Sequence, residues 1–192
     1  MSLLLRATEL GKRPVVTLAG EDIAQIKDVI YDASGGAVSG FTLNGRGIFA
    51  GPLKKALPIT GVVAIGPDAV MITDAGALTE RVEIAAAGDL RDRHVLGNRV
   101  VTDTGTDLGT VVDVILQVGA DTDVVGYEIE AGEALGDGRR VLLPLPDTLA
   151  VSGEALIVPR GAAEFVAHDL AGFGAAVAAF RTHLKGDAGA VQ

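Results

Sequence analysis

The chain carries one pattern twice, and that repeat limits what it can fold into. VVTLAGEDIAQIKDVIYD (15–32) lies over VVTDTGTDLGTVVDVILQ (100–117). Between Val16/Val101 and Asp32/Gln117, seven of seventeen pairs are identical: Val16/Val101, Thr17/Thr102, Gly20/Gly105, Asp22/Asp107, Asp28/Asp113, Val29/Val114 and Ile30/Ile115. After one inserted residue the match continues. VSGFTLN (38–44) meets VVGYEIE (124–130), and LPITGVVAIGPDAVMI (57–72) meets LPLPDTLAVSGEALIV (143–158). Two copies are too few for a solenoid, so each must bury its own small core.

Each copy reads as β structure. A short strand at Val15–Leu18 or Val100–Asp103 turns at Gly20 or Gly105 into a second strand ending near Tyr31 or Leu116. DASGG (32–36) and GADTD (119–123) are turn chemistry. Phe41 and Leu43 alternate with Thr42 and Asn44, as Tyr127 and Ile129 do with Glu128 and Glu130. That is the period-2 pattern of a strand with one buried face. Glycine-rich loops then lead to strands after Pro58 and Pro144, and hairpins follow at Gly66-Pro67-Asp68 and Ser152-Gly153-Glu154. Five or six short antiparallel strands in so few residues favour a small barrel, because closure removes exposed edges.

Composition agrees. Hydrophobic residues make up 48% of the chain but aromatics only 4%, so Val, Ile, Leu and Ala must fill the cores. There is no cysteine, which excludes disulfides, thiolate metal sites and cysteine nucleophiles. MSLLLRATEL lacks the basic start and long apolar core of a signal peptide, and no run approaches the length of a membrane span. The net charge of −9 is uneven. Residues 1–86 carry 8 basic and 9 acidic side chains, whereas 87–160 carry 6 and 13. The acidic second copy repels nucleic acid at long range.

The order of motifs resembles the PRC-barrel family. The carrying residues are Leu10-Gly11, Gly20 through Asp28-Val29-Ile30, Gly40-Phe41, Pro58 and Ile65 to Val70. In the second copy they are Leu96-Gly97, Gly105 through Asp113-Val114-Ile115, Gly126-Tyr127, Pro144 and Val151 to Leu156. The resemblance implies an all-β protein of two tandem small antiparallel barrels. It also implies binding to proteins, RNA-bearing particles or membrane complexes, with no shared catalytic residues. The fold is known from the photosynthetic reaction-centre H subunit and the C-terminal half of a ribosome-maturation factor. Within residues 1–192 neither the transmembrane helix of the first nor the separate N-terminal domain of the second is expected.

Candidate chemistry is sparse. His94, His168 and His183 have no counterparts between copies, and no HExxH, GxSxG, Walker A or dinucleotide motif occurs. DTGTDLGTVVDVIL (103–116) suggests a metal loop at first, but Asp103 aligns with Leu18, so the acidic triplet is not shared. Strict alternation puts Asp28 with Ile26 and Ile30, and Asp113 with Val111 and Ile115. We read these shared acids as structural, bonded at a bulge or neighbouring loop, because neither copy offers a full oxygen-ligand set. Two glycine-rich loops carry basic residues: Arg46, Lys54 and Lys55 in the first copy, Arg139 and Arg140 in the second. These are candidate contacts for an anion or an acidic partner, and the competing reading is a solvated loop.

The segment 161–185 breaks the β pattern. Val166, Leu170, Phe173, Val177, Phe180 and Leu184 recur at 4, 3, 4, 3, 4, the spacing of one helix face. A helix this apolar packs on its own barrels or on another chain. Lys185-Gly186 suits its end, with 186–192 a flexible tail. The domain expectation is therefore barrels at 1–86 and 87–160, then the helix. The functional expectation is a cytoplasmic, non-catalytic adaptor with a protein partner, no cofactor and no metal. Self-association through the helix is open, and direct nucleic-acid binding is disfavoured. The alternatives are an RNA-processing or ribosome-assembly accessory protein, and a cytoplasmic regulatory partner of a membrane complex.

Overall fold

A computed structural model describes residues 3–32, 37–47, 51–81, 95–119, 121–136, 138–145, 150–152 and 155–189. Its strands are β1 (Leu3–Arg6), β2 (Pro14–Thr17), β3 (Asp22–Tyr31), β4 (Val38–Asn44), β5 (Pro52–Pro58), β6 (Val62–Ile65), β7 (Val70–Ile72) and β8 (Thr79–Glu80) in the first half. The second half holds β9 (Arg99–Thr102), β10 (Asp107–Val118), β11 (Thr122–Ala131), β12 (Arg140–Pro144), β13 (Ala150–Ser152) and β14 (Ala155–Val158), then helix α1 (Leu170–Gly189).

The first unit orders its strands β6-β7-β2-β3-β4-β5-β8. The second orders them β12-β11-β10-β9-β14-β13. Read in reverse, the second list is the first with equivalent strands substituted, except that β8 has no counterpart in it and β1 pairs with β10 off the path. Both contain one parallel pair, β2 with β7 and β9 with β14, in otherwise antiparallel pairing. The duplicated fold expected from sequence is therefore present as two curled sheets, each with its own core.

The shared turn shows why the repeated residues matter. Gly20 N–H donates to Thr17 O and Gly105 N–H to Thr102 O, both at 2.9 Å. The threonine hydroxyls accept from Glu21 N at 3.1 Å and Thr106 N at 2.9 Å. Gly20 and Gly105 sit at φ 87° and 86°, a region that favours glycine. Thr17 and Thr102 are buried and hold the turn from beneath.

Strand β4 brings Phe41 into the first core, opposite Leu57 on β5. Strand β11 brings Tyr127 to the same place in the second, opposite Leu143 on β12. Tyr127 is 1% exposed and its Oη has no hydrogen-bond partner among the described residues. Burial pushes its phenol pKa above the ordinary tyrosine value. Because the first copy fills this position with Phe41, Tyr127→Phe is expected to leave stability unchanged or raise it by up to about 1 kcal/mol. Urea unfolding of the two proteins measures this, and a clear loss of stability would show a hydroxyl partner.

Three details differ from the sequence expectation. Pro58 and Pro144 end strands β5 and β12 rather than preceding strands. A proline lacks the N–H needed to continue a ladder, so it suits a strand end. The N-terminal strand, through Leu5, belongs to the second compact unit, and 121–123 to the first. The twelve-residue β10 pairs with β9 only through Asp107–Thr110, and β1 pairs with β10 as well. Finally, the C-terminal helix begins at Leu170 rather than 161. Residues Arg160–Phe165 form a 3-10 turn, and Ala167 exchanges backbone bonds with Leu142 at 2.8 and 2.9 Å. Asp169 Oδ1 then accepts from Gly172 N at 2.7 Å and caps the helix start. The helix continues past Gly186 to Gly189, so the expected end at Lys185 is too early. Residues 190–192 of the expected tail and part of the Ser152-Gly153-Glu154 turn lie outside the described residues.

Candidate protein-interaction surfaces

The expected helix face is real, and it is engaged within the second unit. Phe173, Val177 and Phe180 are buried, while Leu170 and Leu184 are half-buried. Val166 is also half-buried, but it precedes the helix. Phe173 and Val177 pack with Ile115, Val125 and Leu142, and Leu4, Ala167, Leu170 and Ala176 close the cluster. Phe180 meets Phe165 with ring centroids 5.3 Å apart. Fully burying each of these large side chains contributes about 1.5–3 kcal/mol. The spacing that sequence alone left open between two docking partners is thus satisfied by the chain itself.

The shared acids separate. A register shift between Ile26 and Asp28 marks a bulge in β3, so alternation fails there. Asp28 is exposed rather than on the buried face of Ile26 and Ile30, and it lies 3.5 Å from Lys27 Nζ. Thr42 Oγ1 also donates to its carboxylate at 3.3 Å. Asp113 is 4% exposed and accepts from Val114 N at 2.8 Å. Strand β1 lies along β10, whereas β3 pairs only with β2 and β4 among the described residues.

The other acids of 103–116 go elsewhere. Asp103 Oδ1 accepts from Arg160 N at 2.9 Å, and Asp107 Oδ2 accepts from Arg99 Nη2 at 2.6 Å. The Arg99 hydrogen bonds hold the Asp107 carboxyl below its usual pKa, helped by the Gly109 amide. Among the described residues no cluster of three or more metal-ligating side chains forms.

The basic residues also differ from expectation. Lys54 and Lys55 stand exposed on strand β5, not in a loop. Lys55 lies across from Glu80. Arg140 begins β12, with its Nη1 3.9 Å from Glu128 Oε2. Arg139 is exposed just before it. Arg46 lies 3.4 Å from Asp22 Oδ2. Only Arg46 and Arg140 have a described ion-pair partner.

One surface was missed by sequence reasoning. On the outer side of the first unit, Ala64, Met71 and Val16 form a single cross-strand row. Their neighbours Val15, Val70 and Ile72 point into the core. Ala64 is exposed, and Val16 and Met71 are half-buried. Leu18 at 61% and Val63 at 53% exposure flank the row. The signal was available: Pro14, Val16 and Leu18 alternate along β2 and the residue after it, where the second copy has Arg99, Val101 and Asp103. Those charged residues instead pair with Asp107 and cap Arg160.

No described helix is long and apolar enough to cross a membrane. No curated protein matches the chain. The PRC-barrel domain model matches residues 4–78 and again 88–164. Domains of that family are commonly protein-interaction modules and are generally non-catalytic. With both matches spanning the two barrels and the turn, glycine and strand-order features repeated in each, the chain belongs to the PRC-barrel domain family, as a tandem of two such domains.

Proposed function

We propose that the protein is a non-catalytic adaptor of the cytoplasm that binds a protein partner through the outer surfaces of its barrels. The observation that supports this most is the duplicated interaction domain itself. The apolar helix face is already packed on its own unit, so partner contact falls to exposed strand surfaces. Lys54 and Lys55 offer two exposed cations on β5, suited to acidic groups on such a partner.

Affinity capture from native cells with the full chain tests the reading, using Lys54→Glu/Lys55→Glu as a surface variant. The adaptor reading expects a protein partner at stoichiometric yield that survives nuclease treatment. Capture that is lost with nuclease instead selects the RNA-processing or ribosome-assembly alternative. Enrichment of an integral membrane complex selects the regulatory alternative. Failure of the full chain to capture any protein above an unrelated barrel overturns all three.

A further inference from the structure

The outer face of the first unit carries opposite charges at its two ends along the strands, and this selects what fits it. At the Leu18 end, the Thr17–Glu21 turn places the exposed Glu21, and the bond from Leu18 N to Thr73 O sets Asp74 alongside. Asp74 caps Gly76 N at 2.7 Å, and Glu21 has no described ion pair. At the other end lies the Gly66–Ala69 hairpin, which Arg13 reaches with Nη1 2.6 Å from Gly66 O. Lys12 is exposed next to Arg13, and Asp68 is exposed in the hairpin. That end is net positive, with two cations and one carboxylate. The Asp22–Arg46 pair closes the inner side of the row, since Asp22 sits across from Val16.

We infer that this face docks onto the same face of a second copy of the chain. The two-fold axis lies between the faces and runs across the strands. Such an axis sets the Leu18 end of one copy against the hairpin end of the other. Glu21 and Asp74 then face Lys12 and Arg13 twice, once at each end, as an isologous interface requires. An axis along the strands would oppose like ends and set carboxylates against carboxylates. Between the charges, Val16, Ala64 and Met71 meet their own copies, while Leu18 and Val63 meet the hairpin-end side of the other copy, and these contacts exclude water. The second unit is a poorer match for such a contact, because Arg99 and Asp103 stand where Pro14 and Leu18 stand beside the row in the first. The inference is independent of the adaptor reading and relocates self-association from the helix to the first barrel.

Sedimentation velocity of the full chain, from about 1 μM to about 1 mM, tests it. The mean mass is expected to rise from 19.5 kDa toward twice that value. Leu18→Lys and Val63→Lys, each at an exposed position, are expected to weaken association about tenfold or more, because a cation enters an apolar contact facing the net positive hairpin end of the other copy. Lys12→Glu is expected to weaken it, and Lys12→Glu combined with Glu21→Lys to restore it. Circular dichroism melts should stay unchanged in all four. A chain that remains monomeric throughout overturns the inference. So does a dimer whose dissociation constant is indifferent to Leu18→Lys and Val63→Lys. A monomer that still captures its protein partner sinks the dimer alone, and a dimer that captures nothing sinks only the adaptor reading.

Discussion

Phe173→Ala is expected to cost the second unit about 3–5 kcal/mol, the range for removing a buried aromatic ring. The ring is fully buried among Ile115, Val125, Leu142 and Val177. Removing it leaves a cavity beneath a helix whose other buried anchors, Val177 and Phe180, lie further along. The helix start is tied by Asp169 and by the Ala167–Leu142 bridge, so the helix cannot slide to refill the space. Native-state amide exchange can localise the effect. Strands β10, β11 and β12 should lose protection, while β2, β3 and β4 keep theirs. Uniform loss in both units, or loss in neither, would show that the helix does not stabilise the second barrel in this way.

Gly126→Ala carries the second large effect. An added Cβ would stand 2.4 Å from Leu143 O on the neighbouring strand and 2.4 Å from a carbon of the Phe173 ring. Neither is the loose end of a flexible side chain. Separating β11 from β12 or unseating Phe173 costs about 1–3 kcal/mol or more. The first copy supplies the control. At Gly40 the added Cβ would meet Leu57 O at 2.4 Å, and its three nearest atoms are all backbone of β5 rather than a ring. Gly40→Ala is therefore expected to be the milder change in urea unfolding. Gly126→Ala with Phe173→Ala should cost less than the sum of the two, because the ring clash is counted only once. Additive costs would place the whole penalty on the strand approach.

These experiments separate what was legible in the chain from what was not. The repeated glycines were visible, as was the turn at Gly20 and Gly105, but only packing shows that Gly40 and Gly126 serve close strand approach. The helix face was readable to within a turn, because side-chain spacing is a local property. Its start was not, since a cap and a backbone bridge to Leu142 compete with helical spacing.

Sequence by itself determined the duplication, the period-2 strands, the shared turns and the buried helix face. All rest on local periodicity and on the conformations individual residues allow. Only the tertiary structure decided the rest. It placed β1 with the second unit, because β10 is long enough to take another strand beyond β9. It exposed Asp28 and buried Asp113, and a bulge resets the alternation on β3. It put Lys54 and Lys55 on a strand and assembled an apolar row from three separate strands. Each outcome depends on cross-strand register, which pairs residues far apart in the chain and is not written in the spacing of any one segment.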